Sequence, residues 1–558
     1  MNMKIACAFA AGMVFGSASA ADVSAEWLRL CEPSGVSKIV AQQGQTRPKI
    51  VAPGALLLPA DGPKDNIWDF PMKLDLSDAA AVEFDISISD VSVFKEFPLY
   101  FRSGRGWYHA GMSVEQAIER QHVSVKVGGT SCEGVPAGWD RIDGFRIRAY
   151  RSVSTPAQIR MANFRVIPRA EVADTPERRA KLAAEREKRL AETAKWLKTL
   201  PARRGERRLI WAHSANGIKI GHRKFIGWDE AVREVRACGY TDLIANLCWG
   251  STASYESKVL PKPKTDEFAF LYKEDQFELC KAACRKYGVK FHPWRVCWMT
   301  MWRNTKEEQA AMLAKGVLTV DARGEEKTGA WSSTFCPSHP ENRRREIAAM
   351  CELADKGCDG IHFDYIRYQG PDKCFCPGCR ARFAEATGLT FANWPQDMLG
   401  DPAATKRWQD WRCGNITAVV RAVHDYVKKR HPKTEISIAA RSGISGARHG
   451  DGQDWVAWAK EGLVDFICPM DYTAVTPLFR NIYREQADAI RGTGVALYPG
   501  IGISCWGEDD GDNARRFAKH VLQLREDGCR GFTVFALEQR DLPALRLMAT
   551  GPFAGNLR

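Results

Sequence analysis

From Glu26 to Arg169 apolar and polar residues alternate in short runs, among them Ala81-Val-Glu-Phe-Asp-Ile-Ser-Ile88, Gln121-His-Val-Ser-Val-Lys-Val127 and Phe145-Arg-Ile-Arg-Ala-Tyr150. A period of two belongs to strands with one buried face. Gly- and Pro-bearing turns separate the runs, so the pattern predicts a β-sandwich over residues 22–170. Thr175-Pro176-Glu177 then supplies a cap, a first-turn proline and a first-turn acid, the start of a helix. Few apolar positions follow up to Leu200, which predicts a solvated helical linker over 171–206. From Arg207 onward short apolar runs alternate with amphipathic helical stretches. The runs are 209–213, 242–249, 289–294, 360–364, 436–441, 466–471, 495–500 and 531–538; helical stretches include 228–238, 276–287, 343–356 and 513–527. Eight such units predict a (β/α)8 TIM barrel over 207–552, in an α/β chain whose barrel is preceded by a jelly-roll-like sandwich. Its longest connection, the fourth, carries extra helices between residues 376 and 429.

Composition adds to this picture without changing it. The chain has 558 residues, 45% hydrophobic and 26% charged, which suits two to three globular domains and not bulk disorder. Lys4, an apolar stretch over 5–15 and Ala18-Ser19-Ala20 read as a cleaved secretory signal over 1–20. The stretch is shorter than a bilayer span, and no other run is long enough, so the sequence predicts a secreted or periplasmic protein without a transmembrane segment. The net charge is +13, and residues 169–208 hold thirteen Lys/Arg against seven Asp/Glu. Much of the excess therefore sits in the linker, where a solvated face explains it. Nucleic acid is not an expected partner. Many cysteines, such as Cys238, Cys280, Cys351 and Cys468, fall inside apolar runs and read as core thiols rather than a disulfide framework.

Barrel enzymes place reacting groups at the C-terminal ends of their strands. Those positions here hold His213, Asn246, Trp249, His292, Trp294, Arg295, Asp364, Tyr365, Arg441, Asp471, Tyr472, Trp506 and Glu538. Carboxylates at the ends of strands four, six and eight exceed what a structural barrel needs. Glycoside hydrolysis uses two carboxyl groups flanking the scissile bond. Asp364 is the expected anchor, Asp471 its first-choice partner and Glu538 the second. His362, two residues before Asp364, shares its face; it is expected to hydrogen-bond to it, with direct acid–base work the other reading, and to be among the substrate-binding residues. The other polar and aromatic strand-end residues are expected to bind substrate. Trp211, Trp249, Trp294, Trp298, Trp302, Trp331 and Trp506 offer stacking surfaces for sugar rings, with core packing the reading for about half of them. Trp107, Tyr108 and Trp139 in the sandwich are open to the same two readings.

The segments Phe291-His-Pro-Trp294, Cys336-Pro-Ser-His-Pro-Glu-Asn-Arg343, Asp359-Gly-Ile-His-Phe-Asp-Tyr-Ile-Arg-Tyr368 and Val464-Asp-Phe-Ile-Cys-Pro-Met-Asp-Tyr472 resemble the family-10-like glycosyl hydrolases. The resemblance covers the barrel only. It implies O-glycosyl hydrolysis of a poly- or oligosaccharide, cell-wall glycan for some relatives, with no cofactor required for catalysis. Tyr365 stands where the family often has a second acid, and Met470 where it often has Gln. The strand-four segment is also similar to the chitinase motif, but His362 and Ile366 replace its inner Asp and catalytic Glu, which excludes that mechanism. Ala162-Asn-Phe-Arg-Val-Ile-Pro168 resembles the last strand of galactose-binding-like jelly rolls, which implies a carbohydrate-binding domain.

Cys374-Phe-Cys-Pro-Gly-Cys379 follows strand four. Cys374, Cys376 and Cys379 supply three thiolates, and Cys413 or Cys336 could complete a structural zinc site; a disulfide and free thiols are the other readings. The functional alternative to an enzyme is a carbohydrate-binding protein with a degenerate barrel.

Overall fold

The computed structural model describes residues 20–62, 65–90, 93–112, 121–128, 131–151, 155–213, 227–262, 274–300, 304–325, 333–506 and 510–554. The signal-like segment 1–19, Trp302 and Trp331 lie outside the described residues. The chain divides into two compact units, Met1–Ala183 and Ala184–Arg558.

The first unit holds two five-stranded antiparallel sheets. One runs Val40–Ala41, Asp65–Phe70, Gly144–Arg151, Phe94–Met112, Ser131–Pro136, and the other Lys49–Ala52, Ala55–Ala60, Ala157–Pro168, Ala79–Ile88, His122–Lys126. The alternation seen in the sequence is realised: Val82, Phe84, Ile86 and Ile159, Met161 on one sheet share a core with Trp68, Phe70, Phe145 and Ile147 on the other. Tyr108 stacks on Trp139 at 4.0 Å and Trp107 lies under the Arg146 guanidinium at 4.4 Å, so these aromatic faces are engaged within the unit.

The second unit is a (β/α)8 barrel. Its strands are β1 (Arg207–His213), β2 (Asp242–Trp249), β3 (Lys290–Val296), β4 (Gly360–Asp364), β5 (Glu435–Ala440), β6 (Phe466–Pro469), β7 in two pieces (Ala496–Leu497 and Gly500–Ile501) and β8 (Gly531–Val534). All pair in parallel in chain order, and β8 pairs with β1 to close the barrel. Pro499 breaks β7: the first piece pairs with β6 and the second with β8. Four helices matter below: α1 (Pro340–Asp355), α2 (Pro377–Thr387), α3 (Pro402–Arg430) and α4 (Thr476–Ala489).

Residues two apart on each strand fill the barrel in layers. The lowest layer is charged. Arg207 donates to Asp242 Oδ1 at 2.6 Å and to Glu435 Oε2 at 2.7 Å, and His292 Nε2 lies 3.0 Å from the same Asp242 oxygen. The guanidinium fills the space between these two acids, which with His292 could otherwise hold a metal. Gly360 on β4 leaves room for this layer, because a Cβ there would lie 2.3 Å from His292 Nδ1. His292, expected to bind substrate, is thus a fully buried part of the barrel floor. The strand continues to Val296, which lowers His292 well below its end.

Candidate active site

The middle layer carries His362. Trp211 Nε1 donates to His362 Nε2 at 3.0 Å, and His362 Nδ1 pairs with Ser437 Oγ at 2.8 Å, whose hydroxyl lies 3.2 Å from the Ile361 carbonyl. A ring that accepts at Nε2 carries its proton on Nδ1. Burial holds this imidazole neutral, well below its usual pKa. His362 therefore does not touch Asp364 as expected; it braces β1, β4 and β5 beneath the mouth.

Asp364 ends β4 one layer higher. Trp294 Nε1 donates to its Oδ2 at 3.2 Å, and the Tyr365 amide donates to Oδ1 at 2.7 Å. Tyr365 adopts φ 53°, a rare left-handed conformation for a non-glycine. It turns the chain so that its amide faces the carboxylate of the residue before it. Arg367 Nη1 lies 3.6 Å from Oδ1, too far for a hydrogen bond, and has no hydrogen-bond partner among the described residues. Its guanidinium covers the Tyr365 ring at 4.4 Å. Burial raises the Asp364 pKa above the usual carboxylate value, and Arg367, the Tyr365 amide and Trp294 offset part of that rise. The result is a carboxyl group that keeps its proton to higher pH than a solvated aspartate, beside three groups able to stabilise its anion.

Neighbouring strands line the same mouth. His213, Asn246 and Trp294 stand in register on β1, β2 and β3. The His213 ring packs against Trp294 at 4.8 Å and Phe535 at 5.5 Å; burial lowers its pKa to about 4, so it is neutral at pH 7. Asn246 is buried, and its Nδ2 has no hydrogen-bond partner among the described residues. Tyr472 stacks on Phe535 at 5.1 Å. Arg441 follows β5, and its Nε donates to Asp451 Oδ2 at 2.8 Å. Trp249, Tyr365, Met470 and Tyr472 also pack on the inner cluster.

Several expected residues face elsewhere. Phe466 and Cys468 on β6 point inward with Met470, so Asp471 has the opposite parity and turns toward the helices. Its Oδ1 accepts from Ser442 Oγ at 2.5 Å and from Gln486 Nε2 on α4 at 2.8 Å, while Oδ2 has no partner among the described residues. Burial pushes its pKa up to about 6. Arg295 likewise alternates with inward Trp294 and donates to Glu346 on α1 at 2.6 Å, with both groups fully buried. Trp506 packs in the outer core beside His520 at 5.3 Å, and Trp298 is also buried core. Glu538, in contrast, follows the mouth end of β8, half-buried, with its Oε2 3.1 Å from Arg540 Nε. Three mouth residues had no assigned role: Arg367, Phe535 and Asp451. Arg367 sat in the strand-four motif three residues past Asp364, a spacing that would have found it. Asp451 lies in a loop with no periodic signal.

Residues 229–507 match the glycosyl hydrolase-like 10 family, a span that includes β2 to β7, Asp364 and the cysteine loop. The chain belongs to the glycosyl hydrolase-like 10 family. No curated protein matches the sequence. Among solved structures, the glycoside hydrolase domain of PgaB (BpsB) from Bordetella bronchiseptica is similar, with 14% identity, 62% of this chain and 98% of that chain covered, and a TM-score of 0.45. The agarase AgWH50C shares 11% identity over 92% of this chain and 96% of its own, with a TM-score of 0.44. A β-galactosidase from Bacillus circulans sp. alkalophilus shares 13% over 62% and 55%, with a TM-score of 0.42. At the barrel mouth of this glycosyl hydrolase-like 10 protein, Trp294 and Tyr365 flank the buried carboxyl group of Asp364.

The cysteine-rich loop is a second cluster in the same unit. Cys336, Cys374, Cys376 and Cys379 are buried with their sulfurs within 4.8 Å of one another, close enough to hold a metal ion. Cys413 is not among them; its sulfur faces the Arg448 carbonyl at 3.4 Å.

Proposed function

We propose that the protein is an exported glycoside hydrolase that cleaves O-glycosidic bonds of a poly- or oligosaccharide, with Asp364 as general acid. The observation that carries this reading is the Asp364 carboxyl group: buried at the end of a barrel strand, raised in pKa and bonded to a mouth tryptophan. A protonated carboxyl delivers its proton to the glycosidic oxygen as the C1–O bond breaks. The Trp294 and Tyr365 donors and the Arg367 charge then receive the anion that remains.

The second carboxylate in this reading is Glu538. Strands β4 and β8 lie four apart in a closed ring of eight, so their ends face each other across the mouth, whereas Asp471 is turned toward Ser442 and Gln486. Glu538 Oε2 lies 3.1 Å from Arg540 Nε. That carboxylate either attacks C1 or takes a proton from the attacking water. Trp294, Tyr365, Tyr472 and Phe535 supply apolar faces for sugar rings, and Asn246 and Arg367 supply donors for hydroxyl or acidic substituents. No step uses a cofactor. The support for export is the 1–20 segment, and no helix among the described residues is long and apolar enough to cross a membrane.

The test is a panel of bacterial, plant and host glycans treated with the wild type, Asp364→Asn and Glu538→Gln. Release of new reducing ends by the wild type and not by Asp364→Asn supports the reading. Glycan binding without cleavage by the wild type would favour a binding protein instead.

A further inference from the structure

We propose that Cys336, Cys374, Cys376 and Cys379 form a tetrathiolate zinc site that ties two loops of the barrel together. A tetrahedral site with Zn–S bonds of about 2.3 Å places its sulfurs about 3.8 Å apart. Here Cys336 Sγ lies 3.4 Å from Cys379 Sγ and 4.0 Å from Cys376 Sγ. Those separations are far longer than a disulfide bond of about 2.05 Å, and none of the four is in a disulfide. Four thiolates around one point match zinc, which has no geometric preference of its own and favours soft sulfur donors.

The surroundings are built for an anion. Four thiolates around a divalent ion leave two negative charges, which a buried site must answer. The Cys379 amide lies 3.3 Å from Cys376 Sγ, as expected where the thiolate caps the first turn of α2. Ser338 Oγ lies 3.2 Å from Cys336 Sγ and 3.1 Å from Cys379 Sγ. Arg382 Nη2 on α2 donates to that same hydroxyl at 2.9 Å. The arginine thereby holds the serine proton toward sulfur and brings a positive charge to the cluster. Neutral thiols packed against one another would need neither group.

The ion would join the loop before α1, through Cys336, to the loop that leaves Asp364, through Cys374 and Cys376, and to the first turn of α2, through Cys379. It would thereby cross-link the residues just past the carboxyl group without entering the chemistry. The site stands whether or not the barrel cleaves glycans, so its test is separate.

Full-length protein is purified from zinc-containing medium under reducing conditions, and metals are counted by elemental mass spectrometry. One zinc per chain is expected. Cobalt exchanged into the site should give the intense visible bands of tetrahedral cobalt thiolate. Cys413→Ser should keep the ion, and Ser338→Ala, which leaves all four ligands, should weaken zinc retention about 10- to 100-fold. Cys336→Ser should weaken it further. Chains that carry no zinc and fail to take up added zinc or cobalt after reduction overturn the proposal. So does iron in place of zinc, or a metal lost in Cys413→Ser and kept in Cys336→Ser.

Discussion

Replacing Asp471 by Asn should flatten the pH dependence of stability without harming catalysis. The Asp471 carboxyl is buried and reaches Ser442 and Gln486 through one oxygen only. Its pKa rises from 3.8 to about 6 because burial penalises the charged form more than the two hydrogen bonds stabilise it. A carboxyl with a raised folded pKa binds its proton more tightly in the native chain. Stability from this group is therefore greatest below the unfolded pKa and falls as pH rises from 4 to 6. At about 1.4 kcal/mol per unit, the loss amounts to roughly 3 kcal/mol at neutral pH. Asn keeps the accepting oxygen and cannot ionise. Denaturant unfolding of full-length wild type and Asp471→Asn, followed by tryptophan fluorescence at pH 4.5 and 7.5, measures the difference directly. The wild type should lose about 2 kcal/mol more than the variant between the two pH values, since part of the effect is already lost at pH 4.5. Parallel losses would refute the burial argument, and a collapse of hydrolysis in Asp471→Asn would return the residue to the active site.

Further expectations follow from other contacts. Trp294→Phe removes the indole donor from Asp364 Oδ2; losing about 1.5 kcal/mol of anion stabilisation raises the carboxyl pKa by about one unit. The alkaline limb of the pH–rate profile should then move to higher pH, and an unmoved or lowered limb would count against the assigned acid. Gly360→Ala drives a methyl group to 2.3 Å from His292 Nδ1 and should cost about 3 kcal/mol of barrel stability, read as a lower denaturant midpoint. Glu538→Gln should reduce turnover by at least about 100-fold while glycan binding, measured by calorimetry, stays within a few-fold.

The barrel was legible because each strand is a short apolar run with a polar end, and the helices between them keep a helical period. β7 was harder: Pro499 has no amide hydrogen to donate and splits the strand, yet both pieces still pair. The mouth was only partly legible. Asp364, Asn246, Trp294 and Tyr472 could be placed because each follows an unbroken alternation from the barrel interior. Asp471 and Arg295 could not, since one step of parity separates the mouth from the helix layer and the sequence marks strand ends only to within a residue or two. Their chemistry gave no warning, because a buried carboxylate paired with Gln486 and a buried arginine paired with Glu346 use the same residue types as a catalytic centre. His292 was misplaced by depth rather than direction. Trp506 was misplaced because a tryptophan past a strand end suits a sugar platform and an outer core equally.

The central claim is that Asp364 is the group that gives a proton to the leaving oxygen. It is tested most directly by turnover of Asp364→Asn on a glycan the wild type cleaves, with binding measured on the same sample. The account predicts a fall in kcat of about 100- to 10,000-fold with affinity retained. Turnover equal to the wild type would contradict it.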